Sequence, residues 1–292
     1  MYRRLILDLC HGAADGRTIR AAAEFARLLG IDLHCVYIQD EALFALADLP
    51  PAREIRLPSH QWSKIDAGQI EAELHQATTQ ARRSMEDAVR SIGIPNVFEV
   101  LRGDPAACIA AFSCASDIIA VAEPGAPSAR AAQTFARLHH ASHDCAASVL
   151  LLPTGLVPRH GTIVAVLTSV ADPCLTLAAR IAVTAKEELL ILIPNQTGAA
   201  NQAGRLASGA TGRTAAMGVP PDRVTTRAIG GMRADDVLYS LSGAHERLVV
   251  LTRGACAAGD ETEAARIAAA RGVPVLLVEP QEPDEQRPDD RP

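Results

Sequence analysis

The sequence predicts an α/β fold made of two similar domains, each with a five-stranded parallel sheet and helices on both faces. Three observations support this prediction. The chain has 292 residues, enough for two ordinary domains. Its apolar residues form short continuous runs, as in parallel strands buried on both faces, and alanine-rich stretches of helical spacing separate these runs. The same order of runs then occurs a second time.

The first half contains five strand-sized runs with helices between them. A helix over 18–29 is predicted to end at Gly30, and a long amphipathic helix follows over 69–92. Asp104 and Pro105 are typical of a helix start, so a third helix is predicted over 105–115. The predicted strands are 4–10, 32–38, 97–103, 117–123 and 148–153.

The second half repeats this order. Each half has a glycine at the end of its third strand, and the last strands are nearly identical, "SVLLLP" and "PVLLVEP". Repeats of this length indicate duplicated domains rather than a solenoid. We predict strands at 162–168, 188–194, 223–231, 247–253 and 273–280, and helices at 173–186, 234–242 and 261–271.

Domain boundaries follow from composition. The first domain is predicted at 1–155 and the second at 160–280, joined by the Pro/Gly linker "PTGLVPRHG". The acidic, proline-rich tail 281–292 is predicted to be disordered. Between its second and third strands the first half has a long insert, 39–95. At that place the second half has only 195–221, which its small residues predict to be flexible.

Composition excludes several classes of function. Aromatic residues make up 3% of the chain and the net charge is −6, which argues against binding to nucleic acid or anionic lipid. No apolar run approaches the roughly 20 residues that a membrane span needs, and no signal peptide is recognisable. We therefore predict a cytoplasmic protein. Its seven scattered cysteines, without a C-x-x-C pair, are expected to be reduced.

The stretch "VLRGDPAACIAAFSCASDIIAVAEPG" resembles the universal stress proteins, and the two copies resemble the tandem-domain members of that family. In the family the third strand ends in Gly, then one residue and a Pro open a helix, and an Asp begins the next apolar strand before a turn. Gly103, Pro105, Asp117 and Gly125 match this pattern. The resemblance implies tandem Rossmann-like domains of the adenine nucleotide alpha hydrolase type. It also implies a stress-response role and pairing of domains through their last strands.

The ATP-binding motif of that family is degenerate in this chain. Members that bind ATP carry Gly-x2-Gly-x9-Gly-Ser/Thr after the fourth strand, where backbone N–H groups reach the phosphates. Here the four places hold Ala122, Gly125, Phe135 and Ala136. In the second half Thr252 replaces the first glycine, and no Gly-Ser follows at the required distance. The motif therefore predicts that neither copy binds ATP in the usual way and that no cofactor is present.

A ligand in such a sheet binds at the carboxyl ends of the strands, between the first and fourth strands. The family's adenine-side Asp falls on Cys10 in this chain, and Glu123 would repel a triphosphate. The alternative is a variant site for ATP or another adenine nucleotide, with contacts around Gly103, Gly125 and Ser128. The crevice residues are predicted to be Cys10, His11, Gly12, Gly103, Glu123, Gly125 and Ser128, and in the second half Thr168, Ser169, Gly230, Thr252 and Arg253.

The segment "LHHASHDC" is the densest cluster of potential metal ligands. His139 and His143 are four residues apart on a predicted helix, and Cys145 or Asp144 could supply a third ligand. The alternative is a polar helix end, where histidine suits the helix dipole. Arg253 could pair with an anion, although solvation on the surface is the favoured prediction.

These patterns predict a regulatory or interaction protein rather than an enzyme. The chain contains no nucleophile elbow, no H-E-x-x-H and no phosphate-binding P-loop. Self-association is predicted through the last-strand edges 148–153 and 273–280, within one chain and in a homodimer of the whole chain. A protein partner that the sequence does not identify is predicted to bind the insert 39–95, which is unique to one copy.

Overall fold

The computed structural model describes residues 2–10, 15–47, 49, 53–56, 61–64, 66–123, 140–142, 144–156, 160–195 and 200–280. The chain divides into two compact units, Met1–Pro158 and Arg159–Pro292, called unit 1 and unit 2 below. No helix in the described ranges is both long enough and apolar enough to span a membrane.

Unit 1 is a parallel sheet with helices between its strands, in the strand order β7-β6-β1-β2-β5. A small antiparallel hairpin, β3–β4, stands apart from this sheet. The elements are β1 (Arg4–Asp8), α1 (Gly16–Leu29), β2 (Asp32–Asp40), α2 (Glu41–Ala47), β3 (Arg53–Arg56), β4 (Gln61–Lys64), α3 (Ala67–Val89), β5 (Asn96–Gly103), α4 (Pro105–Phe112), β6 (Asp117–Ala122) and β7 (Ser148–Leu152).

Two helix signals predicted for unit 1 are confirmed, the stop of α1 at Gly30 and the start of α4 at Asp104–Pro105, whereas the Asp15 cap of α1 was not predicted. The Asp15 carboxylate accepts the Thr18 N–H at 2.8 Å and caps α1, and Gly30 ends this helix in the left-handed conformation. The Asp104 carboxylate accepts the Ala107 N–H at 3.0 Å, with Pro105 in the first turn of α4. Gly30, Asp104 and Pro105 therefore set helix boundaries at the places that the sequence predicted.

Unit 2 has the same plan, in the strand order β10-β9-β8-β11-β12, with every pair parallel. The predicted α/β class, with parallel strands alternating with helices, is confirmed. The elements are β8 (Thr162–Val166), α5 (Pro173–Ala185), β9 (Leu189–Pro194), α6 (Ala200–Ala216), β10 (Val224–Ile229), α7 (Ala234–Ser240), β11 (Glu246–Thr252), α8 (Glu261–Arg271) and β12 (Val275–Val278).

The prediction that 195–221 is flexible was wrong, because 17 of its residues form helix α6. Ala210 and Thr214 on this helix are fully buried, and Gly209 packs against the Val170 side chain. Small residues lower the intrinsic helix propensity, but they let α6 approach the rest of unit 2 closely. Both units thus have a long helix between their second and third strands. Among the described residues, unit 1 alone has α2 and the β3–β4 hairpin, a narrower region than the predicted insert 39–95.

Candidate functional site

In each unit the strand order reverses beside the first strand. β1 lies between β6 and β2, and β8 lies between β11 and β9. The chain therefore crosses over to opposite sides of the sheet at these points, which leaves a crevice at the carboxyl ends of the paired strands. The candidate sites are the β1/β6 crevice in unit 1 and the β8/β11 crevice in unit 2.

Cys10 lies in the turn after β1, because the strand ends at Asp8, before the predicted boundary at residue 10. The Asp8 carboxylate accepts the Cys10 N–H at 3.1 Å, and the Cys10 thiol donates to the Ile38 carbonyl at 3.0 Å. Burial, followed by the Asp8 charge, raises the pKa of the Cys10 thiol far above its usual value. This cysteine is a neutral hydrogen-bond donor, so it is a poor nucleophile.

Gly103 ends β5 and pairs with Asp40 at the end of β2. Its φ of +152° lies in a region that side chains rarely adopt, and a Cβ atom there would lie 3.1 Å from the Cys108 sulfur. Gly103 was predicted to line the β1/β6 crevice, but β2 lies between β1 and β5, so a whole strand separates Gly103 from Cys10. The predicted site residues His11, Gly12, Gly125 and Ser128 lie outside the described residues.

Glu123 follows β6 at the mouth of the β1/β6 crevice. Its side chain is half-buried, and its Oε2 accepts a hydrogen bond from the Thr154 hydroxyl at 3.2 Å. A carboxylate at this position makes the edge less favourable for a phosphate group, since both are anions.

The β8/β11 crevice is organised by Asp172, which the sequence analysis did not single out. The Asp172 carboxylate is 4% exposed. Its Oδ2 accepts the Thr168 N–H at 3.1 Å and the Thr168 hydroxyl at 2.9 Å. Its Oδ1 accepts the Thr252 hydroxyl and, at 3.4 Å, the Cys174 N–H at the start of α5. The Asp172 carboxylate therefore accepts hydrogen bonds from donors that lie where this architecture binds anions.

Asp172 also ties two strands together. Thr168 follows β8, and Thr252, the last residue of β11, lies 80 positions after Asp172 in the chain. The only sequence signal for Asp172 is the pair Asp172–Pro173, which has the same form as Asp104–Pro105 and indicates a helix cap. Its contact with Thr252 depends on the strand order, so spacing in the sequence does not predict it.

The loop after β11 closes over the strand end. The Ala258 N–H donates to the Met232 carbonyl at 2.7 Å, and a Cβ atom at Gly259 would collide with the Thr252 carbonyl oxygen. Burial raises the pKa of the neighbouring Cys174 thiol well above its usual value and also raises that of Cys256. This part of unit 2 is packed around neutral and internally bonded groups.

Two further predictions for unit 2 need correction. Arg253 was expected to be solvated, but its guanidinium pairs with Glu279 at 2.8 Å. Gly230 was placed in the crevice, but it is exposed after the edge strand β10, and β9 separates that strand from β8. Ser169 accepts the Asp172 N–H through its carbonyl at 3.3 Å, so it belongs to the turn that presents the Asp172 carboxylate.

The predicted metal ligands are only partly described. His139 and His143 lie outside the described residues, while the half-buried Cys145 thiol donates to the Ser142 carbonyl at 3.0 Å. Asp144 instead pairs with His140 at 3.3 Å. No group of three potential metal ligands occurs among the residues whose positions the structure gives. Metal binding by His139, His143 and Cys145 stays a prediction.

An ion pair that the sequence analysis missed lies at the amino ends of the strands in the unit 1 sheet. Asp117 is 1% exposed and accepts the Arg4 Nε–H and Nη2–H, both at 3.0 Å, and the Cys114 N–H at 3.0 Å. The Arg4 guanidinium also lies over the Phe112 ring, 4.4 Å from its centroid. The pair joins the starts of β1 and β6 beside an open cleft of about 260 Å³ that also contacts His34.

The two units share one architecture. When the sheet strands of either unit are numbered in chain order, their spatial order is 3-2-1-4-5, with the crevice beside strand 1. This is the doubly wound α/β architecture.

Comparison with solved structures shows which doubly wound α/β proteins this chain is similar to. The chain is similar to a universal stress protein from Archaeoglobus fulgidus DSM 4304, with a TM-score of 0.66 and 15% identity over 96% of this chain and 97% of that chain. A protein from Pseudomonas aeruginosa UCBPP-PA14, described as a candidate universal stress protein, has a TM-score of 0.53 and 15% identity, with coverage of 96% and 94%. The chain therefore has the universal stress protein fold over nearly its whole length.

The same fold also occurs in a different setting. The cytoplasmic domain of a prokaryotic cation chloride cotransporter has a TM-score of 0.50 and 10% identity, covering 95% of both chains. No family model matches the sequence, and no curated protein matches it.

Proposed function

We propose that this chain is a regulatory or interaction protein of the universal stress type, without enzymatic activity, that does not bind ATP in the family's usual way. The observation that carries the proposal is the Asp172 carboxylate, which is buried in the β8/β11 crevice and bonded to Thr168 and Thr252. A triphosphate at this position would meet a like charge and would have to displace these hydrogen bonds.

Features of unit 1 support the same proposal. Cys10 occupies the place of the family's adenine-side Asp, and its thiol bonds to the Ile38 carbonyl. Glu123 puts a carboxylate after β6, and Phe135 and Ala136 stand where the motif has Gly and Ser/Thr. An adenine nucleotide would lack its usual partners in this crevice.

The partner surface in this proposal is the part found only in unit 1. Five of the nine large, exposed hydrophobic side chains of the described residues lie on or beside α2 and the β3–β4 hairpin, and one, Trp62, is 63% exposed. Solvent-exposed apolar groups concentrated in one region are typical of protein interaction sites. We propose that the partner at this surface is a protein. The five are Leu43, Leu46, Leu49, Ile55 and Trp62.

Self-association through the last strands is part of the proposal. β7 ("SVLLL") and β12 ("VLLV") are apolar throughout and end the strand order of their own units. Apolar strands at the end of a sheet are prone to associate with other strands. We propose that these two strand edges associate within one chain.

We also propose that the protein is located in the cytoplasm, where its cysteines stay reduced.

The test is a thermal shift of the whole protein with ATP, ADP and AMP, each with Mg²⁺, backed by calorimetric titration. A ligand at about 100 times its dissociation constant would add about 2.7 kcal/mol to the free energy of unfolding. We expect no shift. The variant Asp172→Ser, which lacks the buried carboxylate, is measured beside the unaltered protein. If nucleotide raises the melting temperature of this variant alone, the Asp172 carboxylate is what blocks the crevice.

A shift in the unaltered protein would overturn the proposal. The alternative is then a nucleotide-binding module with variant contacts near Gly103, Gly125 and Ser128. Substitution Gly125→Val would abolish the shift if that alternative holds, because a branched side chain would block the approach of phosphate to the backbone.

A further inference from the structure

We propose that the outer strand of the unit 1 sheet, β5, pairs antiparallel with β5 of a second copy of this chain about a two-fold axis. This interface is distinct from the last-strand edges, and it does not depend on whether the crevices bind nucleotide.

The backbone of β5 has one unused side. The Leu33 N–H donates to the Pro95 carbonyl at 3.0 Å, and Leu33 lies opposite Asn96 in the β2–β5 register. In a parallel ladder the backbone N–H and C=O groups of successive residues point to opposite sides of the strand. This bond therefore shows that the odd-numbered residues of β5 bond to β2. Among the described strands β5 pairs with β2 alone. The N–H and C=O groups that point outward belong to Asn96, Phe98, Val100 and Arg102.

Unit 2 provides an internal comparison, because its edge strand β10 is also bonded on one side only in the described part of the chain. Exposed Thr225, Thr226 and Arg227 make the middle of β10 polar, which is how proteins prevent pairing at an open edge. By contrast, the exposed residues of β5 include two valines, Val97 (44%) and Val100 (41%), between Asn96 and Arg102. The protein protects one outer edge and leaves the other suited to pairing.

Symmetry selects the register. A two-fold axis perpendicular to the sheet keeps every side chain on its own face, so each residue must lie opposite one of the same parity. An axis at Glu99 would place two carboxylates directly opposite each other, which is destabilising. An axis at Leu101 would pair only 99–103. An axis at Val100 pairs the whole of 97–103, and its hydrogen-bonded positions are the outward-pointing residues.

The side chains suit this register. Val100 meets Val100 of the other copy, and Phe98 lies opposite Arg102. On this face Arg82 already lies over Phe98, 4.5 Å from the ring centroid, and Arg102 lies over Phe44 at 3.8 Å. Pairing would continue an alternation of rings and guanidinium groups across the axis, an arrangement that cation–π attraction favours.

The first test is the molar mass in solution, from light scattering and sedimentation over a range of protein concentrations. We expect the unaltered protein to reach twice the chain mass of 30.8 kDa. Val100→Lys places two ammonium groups at the axis and should return the mass to 30.8 kDa. The matched control is Val183→Lys, at an equally exposed valine (40%) on α5, which should leave the dimer intact. A monomer at every concentration, or a dimer that Val100→Lys leaves unchanged, would overturn the proposal.

The second test needs no substitution, so it stands even if Val100→Lys folds poorly. Hydrogen exchange of the Val100 amide should slow as protein concentration rises. The amide of Thr226 points outward from β10 and should exchange rapidly at every concentration, because the Asn195–Ile229 bond fixes the alternation of that strand. Equal, concentration-independent exchange at Val100 and Thr226 contradicts the pairing.

Discussion

At the scale of single residues, Asp172 and Asp15 both cap helices, but their surroundings differ. Asp172 is buried and accepts hydrogen bonds from two hydroxyls and two N–H groups, whereas Asp15 is exposed and caps α1 alone. We expect Asp172→Ala to lower the free energy of unfolding by about 2–4 kcal/mol, because it leaves buried donors unsatisfied. Asp15→Ala should cost about 1 kcal/mol. Urea unfolding measures both, and equal losses would contradict the bridging role of Asp172.

The Arg4–Asp117 pair gives the protein a predictable response to acid. Burial alone would raise the pKa of Asp117, but hydrogen bonds from Arg4 and Cys114, with the Arg4 charge, together lower it. The unfolded value is about 3.9, so the folded state binds fewer protons there. The carboxylate therefore contributes stability that is complete above about pH 4 and is lost as the pH falls through the folded pKa.

Asp117→Asn tests this. We expect lower stability at neutral pH by about 1–3 kcal/mol and a weaker loss of stability below about pH 4, measured as urea midpoints across that range. Asp15→Asn is the control, since asparagine keeps the helix cap at an exposed position and should leave the pH dependence unchanged. If the urea midpoints of Asp117→Asn and of the unaltered protein fall equally as the pH is lowered, the Arg4–Asp117 pair does not govern stability in acid.

At the scale of elements, helix α6 contains three glycines whose surroundings differ. A Cβ atom at Gly204 or Gly212 would meet nothing within 4 Å, whereas at Gly209 it would lie 2.8 Å from a methyl group of Val170. We expect Gly204→Ala and Gly212→Ala each to raise the free energy of unfolding by about 0.5–1 kcal/mol through helix propensity. Gly209→Ala should lower it, because the added methyl collides with Val170. Thermal melts rank the three, and a stabilising Gly209→Ala would show that α6 packs differently.

The elements also show what a single sequence can predict. Cap signals and apolar runs depend on neighbouring residues, so Gly30, Asp104 and the ten parallel strands were predicted to within a few residues, whereas the β3–β4 hairpin was not predicted. Helix α6 was missed because its stability comes from tertiary packing of Ala210 and Thr214 rather than from its glycine-rich composition. The crevice of unit 2 was located from the strand order, but the Asp172–Thr252 bond spans 80 positions and leaves no pattern along the chain.

At the scale of the whole molecule, the seven cysteines differ in their expected reactivity. None of the seven forms a disulfide, and Cys114 alone is exposed. Burial raises the pKa of Cys35 to about 12 and also raises the pKa values of Cys10, Cys108, Cys174 and Cys256. We expect a thiol reagent at neutral pH to label Cys114 first in the folded protein, because thiolate formation and access are both required.

Cys114→Ser should remove that rapid phase, and Cys35→Ser should leave it intact. Mass spectrometry of the labelled peptides identifies the modified residue. Rapid labelling at Cys35 would mean that the core of unit 1 opens far more readily than its burial implies.

The Asp172 carboxylate has a consequence for how the protein responds to its surroundings. A dissociable ligand stabilises its binding domain in proportion to the logarithm of its free concentration, so the domain's state follows supply. A side chain is covalently attached, and its effective concentration never changes. Under the proposed function, unit 2 would therefore keep one state at every ligand concentration, and a signal would have to act on another part of the chain.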